Sequence, residues 1–223
     1  MRTLGIDLAS QPEKTAACVM DWPGTGPPVI HEPVRGLDDD DLLQLVNDAD
    51  VTGIDAPFGW PSAFVEFITA HHAGTAEPLA WADEELRRRL RLRATDLWLW
   101  RESGLKMRPP LSVSTDRIAV PALRCAGLLA RLGVIDRSGD GRVFEVYPAA
   151  ALKVWTGISN GYKGASPAAL ATRKAIVGAL EAELGLELPE AAVGDDDKLD
   201  AIVAALVARA AALGVTTPAP LEY

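Results

Sequence analysis

The chain has 223 residues, enough for one large domain or one domain with an insertion, and its 48% hydrophobic content is that of an ordinary globular protein. No apolar run approaches the roughly 20 residues that span a bilayer, and the amino terminus reads as a strand, so neither membrane anchor nor signal peptide is expected. A net charge of −9 argues against a broadly basic nucleic-acid binder, and Cys18 and Cys125, outside any CxxC spacing, read as reduced core thiols of a cytosolic protein.

Thr3 to Ala9 is a short apolar run with one carboxylate, Asp7, and predicts a strand buried on both faces. Leu4, Ile6 and Leu8 would face one way, and Thr3, Gly5, Asp7 and Ala9 the other. A turn with Pro12 leads to a second strand, Thr15 to Trp22. Pro23 to Pro28 is a loop, and Val29 to Val34 is an edge strand because Pro33 cannot donate to a ladder. Such short spacings predict an antiparallel meander.

Asp38 to Asp41 opens a helix with Leu42, Leu43, Leu45 and Val46 as its stripe, and Asn47 to Asp50 closes it. The Val51 to Ala56 strand, reached by a helical crossover, is parallel to its neighbour. It repeats the tripeptide Gly-Ile-Asp and ends at Asp55. The rigid loop Pro57-Phe58-Gly59-Trp60-Pro61 then leaves the sheet where sites of α/β proteins usually lie.

Phe64 to His72 and Asp83 to Glu102 read as helices, and residues 62–115 as a helical insertion without strands. Arg87 to Arg93 carries five arginines in seven residues. It reads either as a cationic patch or as a solvated helix with Glu–Arg pairs. His71 and His72 point in different directions on a helix and are read as surface residues.

Pro121 to Leu132 is an amphipathic helix stopped by Gly133, and Ser138 to Gly141 is a turn. Arg142 to Tyr147 is a strand with one carboxylate, Glu145, and Pro148 starts the next helix. Gly157 to Gly164 is a loop carrying Tyr162 and Lys163. Ser166-Pro167 caps a helix to Leu184, which Gly185 closes. Gly194-Asp195 opens the last helix, which runs to about Leu213. Leu199, Ile202, Val203 and Leu206 form its apolar face, and Asp200 borders it with Asp197 one turn earlier.

Two carboxylates level on neighbouring strands repel unless a proton or cation lies between them. A carboxylate against Val and Ile likewise needs a partner. The reading is therefore a divalent cation held by acids distant in the chain.

This pattern resembles the ribonuclease H-like fold, and within it the RuvC-like branch, whose acids occupy the first strand, the fourth strand and the final helix. More closely, the chain resembles the domain of unknown function 429 family, described as predicted RNase H-like nucleases. The matching stretches are Gly5 to Ala9, Gly53 to Pro61, Arg93 to Asp96, Phe144 to Ala150, Tyr162-Lys163 and Asp197 to Ala201. Thr217 to Tyr223 looks shorter than the family suggests, as if truncated. The resemblance implies a mixed five-stranded sheet, strands one to three antiparallel and four and five parallel, flanked by helices. It implies Asp7, Asp55 and Asp200 as catalytic residues. Those three, with Asp197 or Glu145, would hold Mg²⁺ or Mn²⁺. Arg93, Lys163 or Arg173 would hold phosphates of a DNA, RNA or other phosphoester substrate. One rival is a nucleotide-dependent phosphotransferase or ATPase-like module, although Ala9-Ser10-Gln11-Pro12 lacks the glycines of a phosphate hairpin. The other is a non-catalytic module whose carboxylates are paired with arginines.

Overall fold

The computed structural model describes residues 1–138 and 140–217. The expected turn at Ser138 to Gly141 includes Gly139, and the expected short carboxy-terminal stretch lies almost wholly after Thr217. Gly139 and residues 218–223 fall outside the described residues.

The strands are β1 (Arg2–Asp7), β2 (Ala16–Asp21), β3 (Val29–Ile30), β4 (Val34–Arg35), β5 (Val51–Asp55) and β6 (Val143–Glu145). The helices are α1 (Asp39–Asp48), α2 (Ser62–His72), α3 (Glu84–Arg91), α4 (Ala94–Arg101), α5 (Ala119–Leu132), α6 (Pro148–Thr156), α7 (Pro167–Leu184), α8 (Ala191–Gly194) and α9 (Asp196–Ala212). Among the described residues one sheet contains all six strands in the order β3-β2-β1-β5-β6, with β4 also on β2. β2 is antiparallel to β1, β3 and β4, whereas β1, β5 and β6 are mutually parallel. This is the mixed sheet that the resemblance implies. It has six strands, not five, because the third strand breaks at Glu32-Pro33, where proline has no N–H for the ladder.

Two compact units divide the chain. One comprises residues 1–56 and 127–217 and holds the sheet; the other is 57–126 and, among its described residues, helical. In the first unit, α9 packs on β1, β5 and β2, and the core beneath it holds Cys18, Met20, Ile176, Leu180, Leu199, Ile202 and Leu206. On the opposite side Leu4, Ile6 and Ile54 are fully buried, as are Leu42 and Val46 of α1. α1 begins with a reciprocal cap: Asp38 accepts from the Asp41 N–H, and Asp41 accepts from the Asp38 N–H. Such a cap contributes about 1 kcal/mol.

In the second unit the expected helix from Asp83 to Glu102 is two helices. Leu92 and Arg93 are extended, and Asp96 accepts the Arg93 N–H at 3.0 Å, starting α4 afresh. His71 and His72 are exposed, His71 stacked on Phe67. Cys18 and Cys125 are buried and in no disulfide, and burial pushes the Cys18 thiol up to about 12. No described helix is long and apolar enough to cross a membrane.

Candidate active site

The site is set by glycines. Gly5 and Gly53 are register partners on β1 and β5, both on the face under α9. A Cβ on Gly5 would lie 2.0 Å from the Ala201 carbonyl oxygen, and one on Gly53 would lie 2.6 Å from that of Ala204. With no side chain at either point, the α9 backbone rests directly on the strands. Two residues further along, on the same face, are Asp7 and Asp55, also register partners. The small residues Ala201 and Ala204 of α9 sit over the glycines, so Asp200, near the start of the helix, lies over the acids.

Asp200 is 1% exposed, while Asp7 and Asp55 are half-buried. The charges share one neighbourhood. Burial lifts the Asp7 carboxyl well above the usual range, reinforced by Asp55, Asp200 and Asp197 and opposed by Lys163. Burial and the Asp200 charge push Asp55 up to about 8, with Lys163 again opposing and Glu145 adding. Burial also raises Asp200, though Lys163 and Tyr162 counter it.

Two neighbours from one loop answer this crowding. Tyr162 is buried and its hydroxyl donates to Asp200 Oδ1 at 3.1 Å. Burial, then the Asp200 charge, raises its pKa far out of range, so it stays a donor. The Lys163 ammonium bonds directly to Asp200 Oδ2 and lies 3.9 Å from Asp196. Burial disfavours that ammonium, but Asp200, Asp7 and Asp55 outweigh it and raise its pKa. Its side chain is still 51% exposed, so the cation stands at the mouth of the cluster. The role of Tyr162 was not read from the sequence. The available signal was an aromatic hydroxyl beside a lysine between Gly161 and Gly164, both at positive φ.

Asp197 lies at the edge. It pairs with Arg35 at 2.9 Å, as does Asp195, and burial first raises its pKa. Asp195 also caps α9, accepting from the N–H of Asp197 and Lys198. Asp195, Asp196 and Asp197 are, among the described residues, the trio of potential ligands whose oxygens all lie within 4.8 Å of one another. Arg35, the cap and the Gly164 N–H (3.2 Å to Asp196) engage those oxygens. Arg35 was a second residue that sequence reasoning missed.

Glu145 ends β6 in register with Ile54, so strand alternation assigns it to the face opposite Asp55. Its charge nonetheless reaches Asp55. Arg173 is 2% exposed. Its guanidinium donates to the carbonyls of Val193 (2.7 Å), Tyr162 (2.6 Å), Gly164 (2.8 Å) and Gly194 (3.4 Å), which a phosphate would have to displace. Arg93 belongs to the second unit, where it pairs with Asp96 at 2.9 Å. The structure thus brings Asp7, Asp55, Asp200, Asp197 and Lys163 together. Glu145 lies one step away, Arg173 lies behind the loop, and Arg93 is in the other unit.

No curated protein sequence matches the chain. Among solved structures, Thermus thermophilus RuvC in complex with Holliday junction substrate aligns at a TM-score of 0.42 and 12% identity, over 98% of this chain and 99% of that one. A second structure of Thermus thermophilus RuvC gives 0.39 and 12%, over 98% and 100%. The profile of the family described as "Protein of unknown function (DUF429)" matches residues 5–222, nearly the whole length, and the chain therefore belongs to the DUF429 family.

Proposed function

We propose that the protein is a metal-dependent nuclease that hydrolyses phosphodiester bonds at the Asp7, Asp55 and Asp200 cluster. The observation that carries this reading is the register of Asp7 with Asp55 beneath the buried Asp200, all three held above their usual carboxylate range. Folding has gathered charges that burial disfavours. A dication relieves that cost. The donor set fits one: these are hard carboxylate oxygens, with neither cysteine nor histidine among them, and such donors select Mg²⁺ or Mn²⁺.

Asp7, Asp55 and Asp200 would hold the ions, with Asp197 and Glu145 as the flanking candidates. When bound, such ions supply an activated water and a stabilised leaving oxygen. The chain does the rest. The Tyr162 hydroxyl fixes one oxygen of Asp200 and leaves the carboxylate orientation defined. Half-exposed Lys163 is the cation best placed to meet a phosphate; Arg93 and Arg173 have the partners described above. α9 ends its amide dipole at the acids, favouring their charged form. The two buried thiols accord with a reducing, cytosolic setting.

The Lys163–Asp200 pair also favours a second reading, a non-catalytic module whose acids are neutralised internally. The two separate on one experiment. Labelled DNA and RNA oligonucleotides are incubated with the protein in Mg²⁺, in Mn²⁺ and in chelator, and melting is followed in parallel. The nuclease reading expects ion-dependent cleavage and an ion-dependent rise in Tm, both absent in Asp7→Asn. A folded protein whose Tm ignores both ions would leave the binding module. A nucleotide-dependent phosphotransferase is disfavoured because residues 8–15, joining β1 to β2, contain no glycine.

A further inference from the structure

The two units differ in charge. Residues 57–126 carry ten Lys and Arg against eight Asp and Glu; residues 1–56 and 127–217 carry twelve against twenty-two. A polyanion gains nothing from the average charge of the sheet unit, so its affinity must come from local cations. α3 concentrates them. Arg88 is spent, paired with Glu84 at 2.7 Å and bonded to Glu85. Arg93 is spent on Asp96. Arg87, Arg89 and Arg91 have no carboxylate partner among the described residues, and Arg89 and Arg91 are exposed. Leu90 is buried on the inner side of the helix, with Arg87 half-buried and Arg91 exposed.

An aromatic stands beside them. Trp81 is 63% exposed, a large apolar ring given to water. The Arg87 guanidinium donates to the Trp81 carbonyl, tying that residue to the flank of α3. Arg91 follows Arg87 at i,i+4, on the same flank. An open indole tied to one flank of a helix that carries two arginines without carboxylate partners offers a base its face and a backbone its charge. Duplex DNA hides base faces in its stack, whereas a single strand presents them.

We infer that Trp81, Arg87 and Arg91 form a binding surface for single-stranded nucleic acid. The inference extends the nuclease reading by naming the form of its substrate, yet it stands on residues of the other unit. It is tested without cleavage. Fluorescence anisotropy follows the wild-type protein in EDTA with a labelled 20-nucleotide poly-dT strand and a 20-base-pair duplex, between 50 and 200 mM NaCl; both lengths and salt levels are about those at which phosphate contacts show their salt dependence. The strand should bind more tightly than the duplex. Arg87→Ala/Arg91→Ala should lose about tenfold at low salt and flatten the log–log salt slope by about 1.4, since each phosphate contact to a single strand contributes about 0.7. Trp81→Ala should lose about tenfold and Trp81→Phe much less, because stacking tolerates another ring. These positions are largely at the surface, so an unchanged Tm checks the fold. No binding of the strand at low salt, equal or tighter binding of the duplex, or an unaltered slope in the double variant would overturn the inference. Because EDTA removes the ions, loss of the metal site leaves this measurement untouched, and loss of binding leaves the ion-dependent melting untouched.

Discussion

Asp7 and Asp55 end two adjacent parallel strands as register partners, so their carboxylates leave the sheet side by side on the face that α9 covers. Two residues earlier each strand has the glycine that lets the helix descend. Position and charge are therefore coupled: the closer α9 sits, the more Asp200 is pressed toward like charges.

Replacing Asp7 by Asn removes one charge from this group. The metal-free Tm should hold or rise, because repulsion and the cost of burying an ion both fall. The Mn²⁺-induced rise in Tm should disappear. Scanning calorimetry with and without Mn²⁺ checks both; a lower metal-free Tm with the Mn²⁺ response intact would contradict the assignment.

The metal-free protein should lose stability as pH rises. Asp55 titrates near 4 unfolded and near 8 folded, so between these values the folded state holds the extra proton. Stability is then greatest toward the lower pH and declines up to about 8, with a slope of at most about 1.4 kcal/mol per pH unit for one proton. Denaturant titrations in chelator at pH 5, 6, 7 and 8, a range on the order of the shift itself, should show that decline, and Asp55→Asn should flatten it.

Lys163→Met strips the buried Asp200 of its cation. Breaking a buried pair costs about 3–5 kcal/mol, but the ammonium is half in water, so roughly 2 kcal/mol is expected in chelator. Added Mg²⁺ should restore more Tm than it gives the wild type, because no tethered ammonium then competes for Asp200. Equal Mg²⁺ responses in the two proteins would show that Lys163 does not share the site.

Gly5→Ala should destabilise by at least about 3 kcal/mol, since the added methyl meets helix backbone that cannot step aside. Gly178→Ala, at an exposed place within α7 where the new Cβ meets nothing within 4 Å, should instead stabilise by about 0.5–1 kcal/mol. Urea midpoints for the pair test whether close approach, and not glycine content, makes Gly5 special.

Much of this arrangement was legible because it rests on local rules. Alternation along Thr3 to Ala9 placed Asp7 on a defined face, and the repeated Gly-Ile-Asp anticipated its meeting with Asp55. Helical spacing put Asp200 at the border of the apolar face, and the structure buries it there. What escaped was long-range. Nothing in a single sequence says that Arg35, from an edge strand, reaches Asp195 and Asp197, or that Tyr162 donates to Asp200 across 38 positions. The break at Leu92-Arg93 was also missed, because apolar periodicity runs on through it while the Asp96 side chain captures the Arg93 amide. The third strand was read as continuous because Pro33 was treated as a mark of an edge and not as an interruption.

Arg173 gives the protein an unusual dependency. One guanidinium fastens the Tyr162–Gly164 segment to the chain just ahead of α9, at Val193 and Gly194. The arm carrying the lysine and the rod carrying the aspartates are thereby riveted at a common anchor. A lesion at that anchor would scatter both together, so a residue sealed from solvent would behave in any screen as though it belonged to the chemistry.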